Sequence, residues 1–370
     1  MRILIVGQFG GIGGAERSLI PVAKELKNNG HELTLLLMKS PENNLLFKQF
    51  PGNVLIPTGL SIGDRLKTFL KLNQLVATTD LLIATSELTP TYITWLLSLW
   101  HRKPLIVDVQ VYLSRWIKDS SKSIHNSLCR WIYPQISYIR CVAEGVAQDL
   151  LSNYNVPQKN LSVIYVPFEL DEISKVAESP IPAIHSHIFS KPTIVTVGRF
   201  TSQKRFDIAI EAFNNLCQDY AIDANFLILG DGELRPQLEQ QVQNLGLTDR
   251  VFMPGFVENP HTYVKSSQVF LLSSDYEGLP RVLIEALVVG CPVVATNCPS
   301  GPYEILKGGE CGGLITPMGE PEKIAEAIAR ILKNPELAQK LHETGLQRAK
   351  DFSAEGVVQQ YQNLINHAVA

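Results

Sequence analysis

Six short stretches of the N-terminal half, residues 2–7, 32–38, 80–86, 104–109, 138–143 and 162–167, are mostly apolar and do not alternate with polar positions. A strand with one wet face would alternate; strands this apolar are buried on both faces, the condition of a parallel sheet. Between the first two, Leu19, Val22, Ala23 and Leu26 recur at helical spacing and Gly30 supplies a stop. Strand, helix and strand with short links make a βαβ unit. Over 176–191 the text becomes VAESPIPAIHSHIFSK, with prolines and no sustained period, which predicts a linker. The pattern then restarts at 192–198, 225–230, 250–255, 269–274 and 292–296. A last helix is predicted over 354–367, with Ser353 as its N-cap.

The fold class is therefore α/β, with two Rossmann-like doubly wound parallel-sheet domains at 1–175 and 192–352. The segment 353–370 is expected as a C-terminal helix packing back on the first domain. Carboxyl ends of strands and domain junctions are where such folds bind ligands, so a site is expected in the cleft between the domains.

A chain of 370 residues suits two cores. With 19% charged residues and a net charge of -3 there is no basic or acidic tail to suggest a nucleic-acid partner. The cysteines at 129, 141, 217, 291, 298 and 311 form no CxxC pair and no cluster with histidine. They read as reduced core residues of a cytoplasmic protein, not as a structural zinc site. The apolar run before Gly7 is too short for a signal segment, and no run is long enough to predict a transmembrane helix.

Three loops carry candidate chemistry. VGQFGGIGGAER has glycines at 10, 11, 13 and 14, which let backbone N–H groups approach a ligand where the helix starts. A dinucleotide fingerprint fits it poorly: the third glycine is missing near Glu16, and Glu32 opens its strand where a ribose-binding acid would close it. A tight turn and a loop facing the cleft remain; in the second case Gly13, Gly14 and Glu16 line the acceptor side. VGRFTSQKRFDIAIEAF places Arg199 and Lys204 in a strand-to-helix turn, which suits a diphosphate or is a solvated basic loop. LILGDGELRPQLE ends a strand in Gly230, Asp231 and Gly232, either beside a ligand or in a turn satisfied by Asp231.

The stretch SSDYEGLPRVLIEALVVGCPVVAT carries two acids in apolar surroundings. Glu277 precedes Gly278, Leu279 and Pro280, with Pro280 expected at the first helical position. Glu285 is flanked by Val282, Leu283, Ile284, Ala286, Leu287 and Val288. Leaving a buried carboxylate unpaired is costly, so a hydroxyl-rich ligand or a basic partner is required. Further on, Glu304 in SGPYEIL stands near a helix start, where an acid is also ordinary capping.

SSDYEGLPRVLIEAL resembles the signature of glycosyltransferase family 4, with its two glutamates separated by seven residues. GGAER, EGVAQDLLSNYNVPQKNLSVIYVP, VGRFTSQKRFD, GDGELR, SGPYEIL and FSAEGVVQQYQNL look like the same family's text in its usual order. The resemblance implies the GT-B fold, two Rossmann-like domains facing a central cleft. It also implies a retaining transferase that moves a hexose or N-acetylhexosamine from a nucleotide-diphosphate sugar to a glycan or lipid-linked acceptor. Carried over by position, Arg199 and Lys204 hold the diphosphate, Glu277 the donor sugar, and Glu285 the ribose hydroxyls. Gly230, Gly278 and Leu279 complete the donor-binding set, and Glu277, Arg199 and Lys204 the catalytic one. No cofactor or metal is implied beyond the donor as co-substrate, and no DxD motif occurs. SGPYEIL is similar to members that use a UDP-sugar. Three positions depart from the family's pattern: Gln110 where a histidine is common, Arg205 where glycine usually follows the lysine, and Leu279 in place of phenylalanine. Gln110 cannot take a proton, which sets a non-catalytic binding protein beside the transferase reading; an epimerase on the same two-domain plan is the third.

All four tryptophans, Trp95, Trp100, Trp116 and Trp131, fall in the first domain. From 101 to 140 seven Lys/Arg face only Asp108 and Asp119. Tryptophan with cations suits peripheral contact with an anionic membrane, at its inner face for a cytoplasmic protein; core tryptophans and an ordinary basic face are the alternative.

Overall fold

The computed structural model describes residues 1–8, 14–39, 46–57, 61–119 and 123–370, and only the backbone of residues 14–17, 46, 62, 65 and 123. Each of the eleven apolar runs overlaps a strand. The first sheet holds β1 (Arg2–Gly7), β2 (Glu32–Leu37), β3 (Asn53–Leu55), β4 (Leu81–Ala84), β5 (Leu105–Val109), β6 (Tyr138–Cys141) and β7 (Leu161–Val163). The second holds β8 (Thr193–Val197), β9 (Asn225–Leu229), β10 (Val251–Gly255), β11 (Val269–Leu272), β12 (Val293–Thr296) and β13 (Gly313–Thr316). Every pairing is parallel. Strands β3 and β13 lie at sheet edges and are additional to the runs expected.

The strand orders are β3-β2-β1-β4-β5-β6-β7 and β10-β9-β8-β11-β12-β13. In each sheet the winding reverses beside the first strand, between β1 and β4 and between β8 and β11, which is the topological switch point at which such sheets bind ligands at their carboxyl ends.

The chain divides into a unit of residues 1–168 with 353–370 and a unit of residues 169–352. Residues 176–191, expected as a linker, are instead folded onto the second unit. Helix Leu170–Ala177 ends where Asn259 Nδ2 donates to the Val176 carbonyl at 2.7 Å. Asn225 Nδ2 and Thr193 Oγ1 donate to the Ile188 carbonyl at 2.7 and 3.0 Å. The prolines that break helical periodicity there shape a 3₁₀ turn, Ala183–Ser190, around the buried Ile188. The two crossings between units lie side by side: Phe168 pairs with Ser353, and Ala354 N donates to the Phe168 carbonyl at 3.0 Å.

Helix Ala354–Val369 belongs to the first unit because its apolar stripe, Val357, Val358, Tyr361, Leu364 and Ile365, joins the core of Ile3, Ile5, Leu19 and Ile83. Ser353 sits at its N-cap without a side-chain bond. The stripe carries one polar lock. Tyr361 donates to the Asp108 carboxylate at 3.1 and 3.2 Å, and Arg140 Nη1 reaches the same group at 3.4 Å. The guanidinium lies over the Tyr361 ring at 5.3 Å and donates through Nε to the Ile164 carbonyl at 2.9 Å. Burial pushes the Asp108 carboxyl up, and the Arg140 charge and the Tyr361 hydroxyl oppose that shift.

The second sheet depends on a close approach between the turns after β8 and β9. A Cβ on Gly230, at φ +129°, would lie 2.0 Å from the Gly198 carbonyl oxygen, and one on Gly232 2.6 Å from that of Phe200. Without side chains there, the turn after β9 rests directly on the turn after β8, and Phe200 N donates to the Asp231 carbonyl at 2.9 Å. Two outcomes are expected. Tyr361→Phe lowers the unfolding free energy by about 1–2 kcal/mol, measured in urea, because Asp108 loses a buried donor. Gly230→Ala costs at least about 2 kcal/mol through its positive φ and the clash with Gly198; an unchanged midpoint would contradict this packing.

Candidate functional site

The loop after β8 and the loop after β11 are stitched into one surface at the carboxyl edge of the second sheet. Ser273 Oγ donates to the Lys204 carbonyl at 2.7 Å, and Asp275 N to the Gln203 carbonyl at 2.9 Å. Gln203 Nε2 returns a bond to the Tyr276 carbonyl at 2.7 Å. The loop after β12 joins them: Thr296 Oγ1 donates to the Ser274 carbonyl and Ser300 Oγ to the Gly278 carbonyl, each at 2.7 Å. Gly301, at φ +93°, allows this, since a Cβ there would sit 2.3 Å from Pro280 Cδ.

Within this frame Lys204 Nζ donates to Glu277 Oε1 at 2.6 Å, and Ser274 Oγ donates to the same oxygen at 2.7 Å. Glu277 is 6% exposed. A carboxylate so far from water is tolerable because a cation and a hydroxyl neutralise it, and removing either leaves a poorly solvated charge. Both bonds fall on Oε1. Burial, and then the neighbouring Glu277 charge, pushes the nearby Cys298 thiol up, so it stays protonated and inert.

Arg205 follows Lys204 at φ 49°, ψ 45°, the left-handed conformation that favours glycine. Its guanidinium compensates by bonding Asp207 at 2.9 Å and Asp275 at 3.3 Å, which ties the first turn of helix Phe206–Asp219 to the β11 loop. These bonds, the Asp207 hydrogen bond first, push the Arg205 pKa up. Arg199 is exposed. The structure uses Asp231 in its own turn: Gly232 N and Arg235 Nε both donate to Asp231 Oδ1 at 2.8 Å.

Helix Arg281–Val288 begins one residue later than expected. Pro280 is its N-cap, with extended backbone at ψ 94°, and Arg281 opens the helix. Glu285 is buried at 9% exposure, as its neighbours in sequence require. The basic partner is Arg281, one turn earlier, with Nε 3.7 Å from Glu285 Oε1. That distance is an ion pair without a close hydrogen bond. Sequence reasoning missed Arg281, although its i,i+4 spacing to Glu285 was the available signal. It also missed Ser274, three positions before Glu277. Leu279 is buried beside Gly278 in the same loop.

In the first unit Gln110 follows β5, and its N–H donates to Glu87 Oε1 at 2.7 Å. Glu87, another residue the sequence did not single out, follows β4. Gln8 N donates to Ser86 Oγ at 2.9 Å, joining the ends of β1 and β4. Leu88 then takes φ 65°, ψ -120°, a strained backbone for a leucine, at the start of helix Thr89–His101. Gly13 lies outside the described residues, as do the side chains around Gly14 and Glu16 in helix Gly14–Asn28. Among the described residues no group of three or more His, Cys, Asp or Glu is placed to hold a metal ion.

The family model for Glycosyl transferases group 1 matches residues 181–348, and that for Glycosyltransferase Family 4 matches residues 12–172. An uncharacterized glycosyltransferase of Methanocaldococcus jannaschii is 28% identical over 59% of this chain and 60% of its own length. The Campylobacter jejuni N-acetylgalactosamine-N,N'-diacetylbacillosaminyl-diphospho-undecaprenol 4-alpha-N-acetylgalactosaminyltransferase is 27% identical over 64% of this chain and 62% of its own. The chain thus spans about three fifths of these relatives. Among solved structures, Anabaena HepE in complex with UDP-glucose superposes with a TM-score of 0.84 at 20% identity, covering 99% of this chain and 100% of that one. The lipopolysaccharide outer core galactosyltransferase WaaB superposes at 0.76 with 18% identity, covering 99% of each. These likenesses establish a GT-B-like fold of two parallel α/β sheets. With two family models adjoining across most of its length, the chain belongs to glycosyltransferase family 4.

Proposed function

We propose that the protein is a retaining glycosyltransferase that moves a hexose or N-acetylhexosamine from a UDP-sugar to a glycan or lipid-linked acceptor. The observation that carries this reading is the buried Lys204–Glu277 pair, fixed by Ser274 where the winding of the second sheet reverses. A departing nucleoside diphosphate gathers negative charge, and cations already in place stabilise that charge without reorganising. An ammonium has three donors, so Lys204 keeps its bond to Glu277 and offers two more N–H groups to phosphate oxygens. Arg199, exposed on the same loop, supplies the planar fork that matches a phosphate.

Glu277 meets the donor sugar through Oε2, the oxygen that Lys204 and Ser274 leave open. Its charge is shared with both donors, which makes it a weak nucleophile and a good orienter of a sugar hydroxyl. Retention then proceeds by acceptor attack on the face the diphosphate leaves, through an oxocarbenium-like transition state. Glu285 receives the ribose hydroxyls, and the long ion pair to Arg281 leaves its carboxylate room for them. Gly230, after β9, and Gly278 and Leu279, after β11, admit the nucleotide to the backbone of these two turns. The acceptor belongs to the first unit, where Glu87 and Gln110 stand at the carboxyl ends of β4 and β5. The uracil base is supported by HepE, whose complexes with UDP and with UDP-glucose share this fold.

Thermal shifts against UDP-, GDP- and ADP-sugars test the donor. A UDP-sugar is expected to stabilise the protein by about 2.7 kcal/mol at a hundred times its dissociation constant, and the others to leave it unmoved. Glu285→Ala is expected to weaken donor binding by about tenfold or more with a smaller change in kcat. Glu277→Gln is expected to lower kcat about a hundredfold at nearly unchanged donor affinity. If both variants transfer sugar at the parent rate, the site is elsewhere. If donor is epimerised without acceptor, the transferase reading is wrong.

A further inference from the structure

Helix Thr89–His101 buries one face, Thr91, Thr94, Trp95, Leu97 and Ser98, and turns Leu96, Leu99 and Trp100 to solvent at 55%, 57% and 80% exposure. A helix on a protein surface normally places polar side chains on that face. Here the last two turns carry none beyond the half-exposed ring of His101; the helix's one exposed polar residue, Thr89, lies at the opposite end. Two neighbouring helices continue the same character. Ile62–Thr78 packs against it, and His101 Nε2 bonds Asn73 Oδ1 at 2.8 Å. One turn before Asn73, Leu70 and Phe69 are exposed, and two turns before it Leu66. On the other side, Trp131 of helix Ser123–Ile132 meets the Trp95 ring edge-on at 5.4 Å while remaining 62% exposed.

Among the described side chains, the exposed charges on these three helices and at their ends, as far as residue 102, are cations. Lys67 and Lys71 alternate with the exposed leucines, Arg102 is exposed at the end of the central helix, and Arg130 adjoins Trp131. Residues 89–103 and 123–135 contain no Asp or Glu, and 62–78 contains only Asp64, which bonds Ser61 at the start of its own helix. A second copy of the chain would have to set these cations against their own images in a two-fold contact. A sheet of anionic headgroups over acyl chains meets both the charge and the apolar side chains. Of the four tryptophans, Trp100 and Trp131 supply this face; Trp95 is buried beneath it and Trp116 is half-buried on another helix.

We infer that the solvent faces of these three helices form a docking surface for an anionic lipid bilayer, with Leu96, Leu99 and Trp100 entering the headgroup boundary and Lys67, Lys71, Arg102 and Arg130 pairing with lipid phosphates. The inference does not rest on the donor-site reading. No helix among the described residues is long and apolar enough to cross a membrane, so the contact is peripheral.

Co-sedimentation of the whole protein with vesicles tests it. Vesicles of phosphatidylglycerol and phosphatidylcholine in equal parts are expected to bring the protein down at low salt, and phosphatidylcholine alone to leave it in solution. Lys71→Glu and Arg102→Gln should each weaken binding about fivefold or more. The pair Leu99→Ser and Trp100→Ser should abolish binding at an unchanged melting temperature, since both side chains face water. Tryptophan emission should shift to the blue on binding in the parent and not in that variant. Absence of binding at low salt overturns the inference. So does a parent that sediments as a dimer, is split by the same pair of substitutions and ignores vesicles, because the face then belongs to a second copy.

Discussion

The 2.6 Å contact between Lys204 and Glu277 is the constraint on which the site depends. A lysine from the turn after β8 and an acid from the turn after β11 are both withdrawn from water, with side chains 17% and 8% exposed. Neither charge is stable there alone, so the two turns must stay in register. Backbone and side-chain bonds enforce this: Ser273 and Gln203 cross between the turns, and Arg205 reaches Asp275. Charges placed this way are arranged before a ligand arrives, which is the condition for stabilising a leaving group electrostatically.

The same register explains local departures from ordinary chain geometry. Arg205 accepts a left-handed backbone, a cost on the order of 1 kcal/mol, because its guanidinium then ties two turns together. Gly230, Gly232 and Gly301 stand where a methyl group would collide with a neighbouring turn. Four turns from β8, β9, β11 and β12 converge on one patch, and the reversal of winding beside β8 is what lets them converge. In the first unit, considered by itself, Glu87, Gln110 and the strained Leu88 gather at the carboxyl ends of β4 and β5.

Much of this was legible from residues alone, for reasons that also mark the limit. Runs such as Leu81–Ala84 and Val269–Leu272 are buried on both faces, so their apolarity is complete and the strand unmistakable. Asn53–Leu55 is three residues on a half-buried edge, and Gly313–Thr316 follows a glycine-rich turn; neither has the length or burial to declare itself. Residues 176–191 lack periodicity because they fold through backbone carbonyls at Val176 and Ile188, and a side-chain pattern does not record such bonds. The burial of Glu277 and Glu285 was readable from apolar neighbours. Their partners were harder to read: Lys204 is 73 residues from Glu277 in sequence, and only the i,i+4 spacing marks Arg281 as the partner of Glu285. The exposed apolar face of the first unit was half visible: tryptophans and cations marked the region, but only the helix orientation separates Trp100 from the buried Trp95.

The central claim is that the two acids of the second unit are held ready for a nucleotide sugar. A crystal structure with a UDP-sugar bound tests it most directly. The account predicts diphosphate oxygens on Lys204 Nζ with its bond to Glu277 kept, and ribose hydroxyls on the Glu285 carboxylate. A nucleotide bound away from these turns, with Glu285 still satisfied by Arg281 alone, would contradict it.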